Sequence, residues 1–226
     1  MSYILNIETA TKNCSVSITK NGKTLAYREI AEEGYSHAER LHVFIEQVCA
    51  EAKIDLSVLN AVAVSQGPGS YTGLRIGVSA AKGLCYALAI PLISVDTLSS
   101  LASKVTVDSG FIVPMLDARR MEVYSAVFSS DLKKIRSIEA EILTEDSFSN
   151  FDETVYFLGD CNEKAKTILT QPNYVFLDQF VYPSANEMSV ISFEKFSKND
   201  FEDVAYFEPY YLKDFLITQS KKTITA

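Results

Sequence analysis

An α/β fold of two similar lobes is what this sequence predicts, and three observations carry the expectation. A pattern of strand, acid, turn, strand, turn, strand occurs twice, about 110 residues apart, as in an internal duplication. Its first strand ends on Glu8 in one copy and on Asp117 in the other. Between the copies lie two long stretches of helical periodicity, each followed by a short apolar strand. The third observation is size: 226 residues, 47% of them apolar, can bury a core in each of two lobes. The expected division is 1–100 and 101–226, with the boundary in Asp96 to Ser109 and a loose polar tail from Ser220.

The elements follow in order. Tyr3 to Glu8 is a mostly apolar run, and Cys14 to Thr19 alternates Val16 and Ile18 with Ser15 and Ser17. Asn21-Gly22 is a tight-hairpin signal, because both residues tolerate positive φ, and it leads into Thr24 to Ile30. Ser36-His37-Ala38-Glu39 fits a capping box. Leu41, Phe44, Ile45, Val48 and Ala52 then form one apolar stripe of a helix. Ala61 to Val64 reads as a buried strand, Gly67-Pro68-Gly69 as a turn, Tyr71 to Ala89 as a helix and Pro91 to Val95 as another strand. In the second half, strands are expected at Phe111 to Asp117, Glu122 to Phe128, Ile135 to Leu143 and Val155 to Gly159. Helical stretches are expected near Asn162 to Leu169 and Ser184 to Phe196.

Composition removes several function classes. A net charge of −8 leaves little clustered Lys and Arg for phosphate neutralisation, so RNA or DNA would be held only with another chain's help. The start of the chain shows no export signal, and the apolar run from Leu74 to Ile90 is broken by Arg75 and Lys82, as in a buried helix. Cys14, Cys49, Cys85 and Cys161 are scattered, the pattern of free thiols in a reducing cytoplasm. His37 and His42 are five apart, which sets them about 140° apart around a helix and unable to clamp one metal. No Gly-x-Ser-x-Gly elbow is present, which disfavours a serine hydrolase.

Two features could carry function. Twin meanders with carboxylates at their first strand ends match the plan of the actin-like ATPase and sugar-kinase fold, in which one turn per lobe wraps nucleotide phosphates. Glu8, Thr9 and Thr11 would form the first turn, with Gly67 and Gly69 near it and Asp117 opening the second. That second turn, Asp117-Ala118-Arg119-Arg120-Met121-Glu122, has no glycine for a close phosphate approach. Glu8 and Asp117 are equally compatible with simple strand ends. Gly67-Pro68-Gly69 before a helix is either an anion site or a tight strand-to-helix turn, and it matches neither a dinucleotide fingerprint nor a P-loop. In the helix behind it, Gly73, Gly77 and Ala81 recur every four residues. Glycine within a helix costs about 1 kcal/mol against alanine. Close approach of another helix, from this chain or a partner, is the expected compensation.

Together, Ile4 to Thr11, Ser36 to Glu39, Gln66 to Gly77, Asp117 to Tyr124 and Pro209-Tyr210-Tyr211-Leu212-Lys213 resemble the TsaB family. The resemblance spans nearly the whole chain and is most specific over Gly67 to Gly77; Glu8 stands where the family usually has aspartate. It implies a non-catalytic scaffold subunit of the bacterial machinery that makes threonylcarbamoyladenosine at tRNA position 37. The implied partners are the catalytic paralogue TsaD, bound through the first two helices, and the small ATPase TsaE. A homodimer through the same face is also implied, and tRNA is met only through the complex. On this reading the chain alone binds no cofactor, with ATP, Mg²⁺ and the metal on partner subunits. Thr97 and Leu101 stand where TsaD-like chains carry two metal-binding histidines. The interface expected is His37, Arg40, Leu41, Phe44, Gly73, Leu74, Gly77, Val78 and Ala81, so that Gly73→Leu or Gly77→Leu would break pairing and spare the fold. The runner-up function is a stand-alone small-molecule kinase or ATPase of the same fold.

Overall fold

The computed structural model describes residues 1–31 and 37–212. Two five-stranded mixed sheets are built to one plan. In the first, β1 (Tyr3–Glu8), β2 (Cys14–Lys20) and β3 (Lys23–Ile30) form an antiparallel meander, and β4 (Ala61–Gly67) and β5 (Leu92–Asp96) add in parallel beside β1. Its order is β3-β2-β1-β4-β5. The second sheet repeats this with β6 (Phe111–Asp117), β7 (Glu122–Ser129), β8 (Lys134–Ile142), β9 (Val155–Gly159) and β10 (Tyr174–Phe176), ordered β10-β9-β6-β7-β8. The duplicated two-lobed α/β plan read from sequence is therefore present. The three-residue β10, too short to leave a periodic signal, is an addition to the elements expected.

β1, β4 and β5 of the first sheet are mostly apolar and buried because both faces are covered. On one face, α1 (His37–Ala52) and α2 (Tyr71–Leu88) bury Leu41, Phe44, Ile45, Val48, Val78, Ala81 and Cys85 against Leu5, Ile7, Val16, Ile18, Val62 and Val64. On the other, Ile4, Ala61, Ala63, Ile93 and Val95 meet Ala185 and Met188 at the start of α5 (Met188–Ser197). Asn21 and Gly22 take φ 49° and 79°, as the hairpin signal requires. The four cysteines are buried and unpaired.

At the expected boundary, Asp96 caps α3 (Thr97–Ala102) through its Oδ1, which accepts from the N–H groups of Leu98 and Ser99 at 2.8 and 3.0 Å. Leu98, Leu101 and Ala102 then pack on Ile112, Leu116, Ala126 and Phe128 of the second sheet. Residues 101–226 do not all stay with that sheet. From Pro183 the chain returns to the first sheet, where α5 packs and Glu202 pairs with Leu92 across a single bridge. Contacts some 170 residues apart in sequence, such as Ser15 Oγ with Ser184 Oγ at 3.2 Å, leave no local pattern. The tail from Ser220 and the capping residue Ser36 lie outside the described residues. Among the described residues no helix is long and apolar enough to cross a membrane.

Candidate functional site: the first turn and the outer face of the helix pair

The turn after β1 is held on all sides by its own chain. Glu8 is fully buried, and its Oε1 accepts from the Ala10 N–H at 2.6 Å. Burial raises its pKa to about 7, against the lowering pull of the Ala10 N–H, the Ser65 hydroxyl and the charge of Lys104. Oε2 has no hydrogen-bond partner. Burial with so few donors favours the protonated form of the carboxyl.

The Gly67 to Gly77 block closes over this turn. Gly67, at φ 112°, occupies backbone space open to glycine, next to a cis bond to Pro68. The Tyr210 carbonyl lies where a Gly67 side chain would be, and the Tyr210 N–H donates to the Gln66 carbonyl at 2.7 Å. Ser70 donates its N–H to the Ala10 carbonyl at 2.6 Å and caps α2 by accepting from the Gly73 N–H through its hydroxyl at 3.2 Å. The Thr9 hydroxyl donates to the Gly73 carbonyl at 2.8 Å. A side chain at Gly69 or Gly73 would collide with the carbonyls of Ala10 and Thr9, and one at Gly77 with the Thr9 hydroxyl. On the far side, His37 Nε2 donates to the Thr11 carbonyl at 2.7 Å. The residues expected to cradle a phosphate, Thr9, Thr11, Gly67 and Gly69, are thus brought together, but the Thr9 hydroxyl bonds the Gly73 carbonyl and the Thr11 hydroxyl accepts from the Asn13 N–H.

This corrects the sequence reading of the small-residue stripe. Gly73 and Gly77 make room for the turn after β1, while Ala81 sits in the core beneath α1 and α2. Leu41, Phe44, Leu74 and Val78 are buried beside them, and His37 and Arg40 are half-buried at the start of α1. Seven of the nine residues expected at the interface therefore point into their own core, and Gly73→Leu or Gly77→Leu would damage the fold itself.

Residues 183–185 pack against the first sheet and α3. Pro183 and Ser184 offer carbonyls to the Asn13 amide and the Ser100 hydroxyl at 3.0 and 3.2 Å. Ala185 accepts from the Ser17 hydroxyl at 2.7 Å and donates its N–H to Ser15 Oγ at 3.0 Å. The second turn is closed by Lys164. Its Nζ pairs with Asp117 and donates to the carbonyls of Arg120 and Glu122 at 3.0 and 2.7 Å. Arg119 and Arg120, at φ 73° and 55°, hold the turn where glycine would be expected. Among the described residues no three His, Cys, Asp or Glu side chains are placed to hold a metal ion.

What remains open is the outer face of the helix pair. Ala38 and His42 of α1 and Thr72, Arg75, Ser79 and Gly83 of α2 are exposed and line a groove of about 760 Å³. Tyr71, Ile76, Ala80 and Leu84 complete its apolar floor. In sequence these residues look like ordinary helix surface. The signal available was indirect: the large apolar stripes of both helices are claimed by the core, which leaves the opposite faces for any partner.

A family model described as "TsaD: tRNA N6-adenosine threonylcarbamoyltransferase" matches residues 29–222. The "tRNA threonylcarbamoyladenosine biosynthesis protein TsaB" of Escherichia coli is 29% identical over 93% of this chain and 94% of its own length. This chain belongs to that family, on its TsaB side. The Bacillus subtilis protein of the same name is 32% identical over 55% of this chain and 54% of its own length. Among solved structures, "YeaZ from Pseudomonas aeruginosa" superimposes with a TM-score of 0.80 at 23% identity, covering 94% of this chain and 100% of its own. That likeness and the duplicated sheets show a two-lobed α/β fold shared with the YeaZ structure. Within it, this TsaB-family chain keeps the first-lobe turn as a packing element.

Proposed function

We propose that this chain is a non-catalytic, partner-binding subunit in the biosynthesis of threonylcarbamoyladenosine at tRNA position 37. It docks a larger paralogue of the TsaD type through the outer face of α1 and α2. The single observation that carries this reading is the groove between Ala38, His42, Arg75, Ser79 and Gly83, an exposed and mostly apolar strip on a rigid helix pair. A second copy of the chain would take the same face when the paralogue is absent, and TsaE joins the assembled pair. The chemistry, with its ATP, Mg²⁺ and metal, belongs to the partners, tRNA is met only through the complex, and the cytoplasm is the place of work.

Two features support the absence of a catalytic role. Gly69 and Gly73 lie flush against the carbonyls of Ala10 and Thr9, whose partial negative charge disfavours a phosphate at the first turn. Thr97 and Leu101, fully buried in α3, are weak metal ligands in the places where the resemblance implies histidines.

The test is co-purification with the TsaD-type protein of the same organism, followed by light scattering. Ser79→Arg and Gly83→Arg, both on exposed backbone, should each abolish the complex and leave the unfolding transition in place. Survival of the complex in both variants would move the contact elsewhere. Robust ATP turnover by the isolated chain would replace the scaffold reading with a stand-alone kinase or ATPase.

A further inference from the structure

Resting on that reading of the helix face, we infer that Arg75 is the specificity-determining cation of the face. Tyr71 and the C-terminal strap hold it in place to receive a carboxylate from the partner protein. The strap, residues 203–212, crosses α2 and is fastened at three points. Lys82 Nζ donates to the carbonyls of Ala205 and Phe207, both at 3.0 Å, and the Tyr210 N–H bonds the Gln66 carbonyl. That fastening sets Tyr211 against Tyr71, with ring centroids 5.2 Å apart. The Arg75 guanidinium lies over the Tyr71 ring, 4.0 Å from its centroid, and its Nε donates to the Tyr211 hydroxyl at 3.3 Å.

The consequence is a guanidinium fixed in plane and orientation while still exposed at the groove. Nε is committed, so the outer edge with its two Nη groups is the one turned to a partner. That edge matches a carboxylate in a bidentate fork. Among the described residues Arg75 has no ion-pair partner within 4 Å, although the Glu208 charge lies near enough to favour its charged form. Along α2 the only charged side chains are Arg75 and Lys82, in a chain of net charge −8. A local cation on an acidic protein favours an acidic counterpart over a second copy of the same surface. Arginine and tyrosine, held rigid before binding, are the residue types that dominate interface energetics.

The experiment is titration of the full chain with the purified TsaD-type protein at about 0.05 M and about 0.5 M salt, beside Arg75→Gln, Arg75→Lys, Tyr211→Phe and the exposed control Ile142→Ala at the end of β8. Arg75→Gln should weaken binding by about 10- to 100-fold at low salt and flatten the salt dependence. Arg75→Lys should restore the salt dependence but only part of the affinity, because an ammonium cannot form the fork. Tyr211→Phe should cost a few-fold and Ile142→Ala nothing. If the wild type binds and Arg75→Gln binds within about twofold at both salts, the inference is overturned while the reading of the face survives. If the wild type does not bind, both fall.

Discussion

The Thr9 hydroxyl donates to the Gly73 carbonyl at 2.8 Å, and the Thr9 carbonyl rests where a Gly73 side chain would be. One residue of the turn after β1 thus meets α2 twice, and both contacts depend on a bare helix surface. Gly73→Ala would drive a methyl into a backbone carbonyl that cannot rotate away. The expected loss is about 3 kcal/mol or more by urea unfolding. Gly77→Ala meets only the Thr9 hydroxyl, a side-chain atom, so its cost should stay near the loss of one buried hydrogen bond, about 1–2 kcal/mol. Equal costs for the two would mean the turn is not pinned as described.

Gly83 on the same helix should behave in the opposite way. A side chain there meets nothing within 4 Å, and the residue sits well inside α2 at the exposed groove. Gly83→Ala should raise stability by about 1 kcal/mol, the ordinary helix-propensity difference. Thermal unfolding that leaves this variant unchanged or lowered would show that the glycine is needed by the folded monomer.

Lys164 joins Asp117 to the carbonyls of Arg120 and Glu122 and so holds two left-handed arginines in the second turn. Lys164→Met keeps the stem and removes all three bonds, and a loss of about 1–2 kcal/mol is expected. Asp117→Asn removes only a half-exposed ion pair and should cost under about 1 kcal/mol. Chemical denaturation of both variants checks the order.

The fold was largely legible in the residues, and the face that matters was not. Strand alternation, Asn21-Gly22 and the acid-ended first strands are local signals, and each sits where the chain folds as read. The glycines of α2 were legible as a bare face, but periodicity does not say whether a strand-end turn, a neighbouring helix or a partner fills it. Leu41, Phe44 and Val78 looked available to a partner only because the sheet beneath them was not yet placed. Tyr211 against Tyr71, Lys164 at the second turn and Ser184 against Ser15 all act across long sequence separations. No spacing rule reaches that far.

Glu8 makes stability fall as pH rises, the reverse of a salt-bridged carboxylate. Its folded pKa is raised by burial to about 7 against 4.5 for the free side chain. Below pH 4.5 both folded and unfolded chains hold the proton, and the folded state bears no penalty from this group. Between 4.5 and about 7 the unfolded chain releases the proton and the folded chain keeps it, so unfolding gains ground with each step in pH. Above about 7 the full difference, on the order of 3 kcal/mol, is lost. Glu8→Gln keeps an oxygen for the Ala10 N–H and carries no charge to bury. It should flatten this slope between pH 5 and 8 and exceed the wild type in stability at pH 8. A wild type whose urea midpoint holds constant or rises over that range, or a variant that keeps the same slope, would show that Glu8 is charged and satisfied in the folded chain.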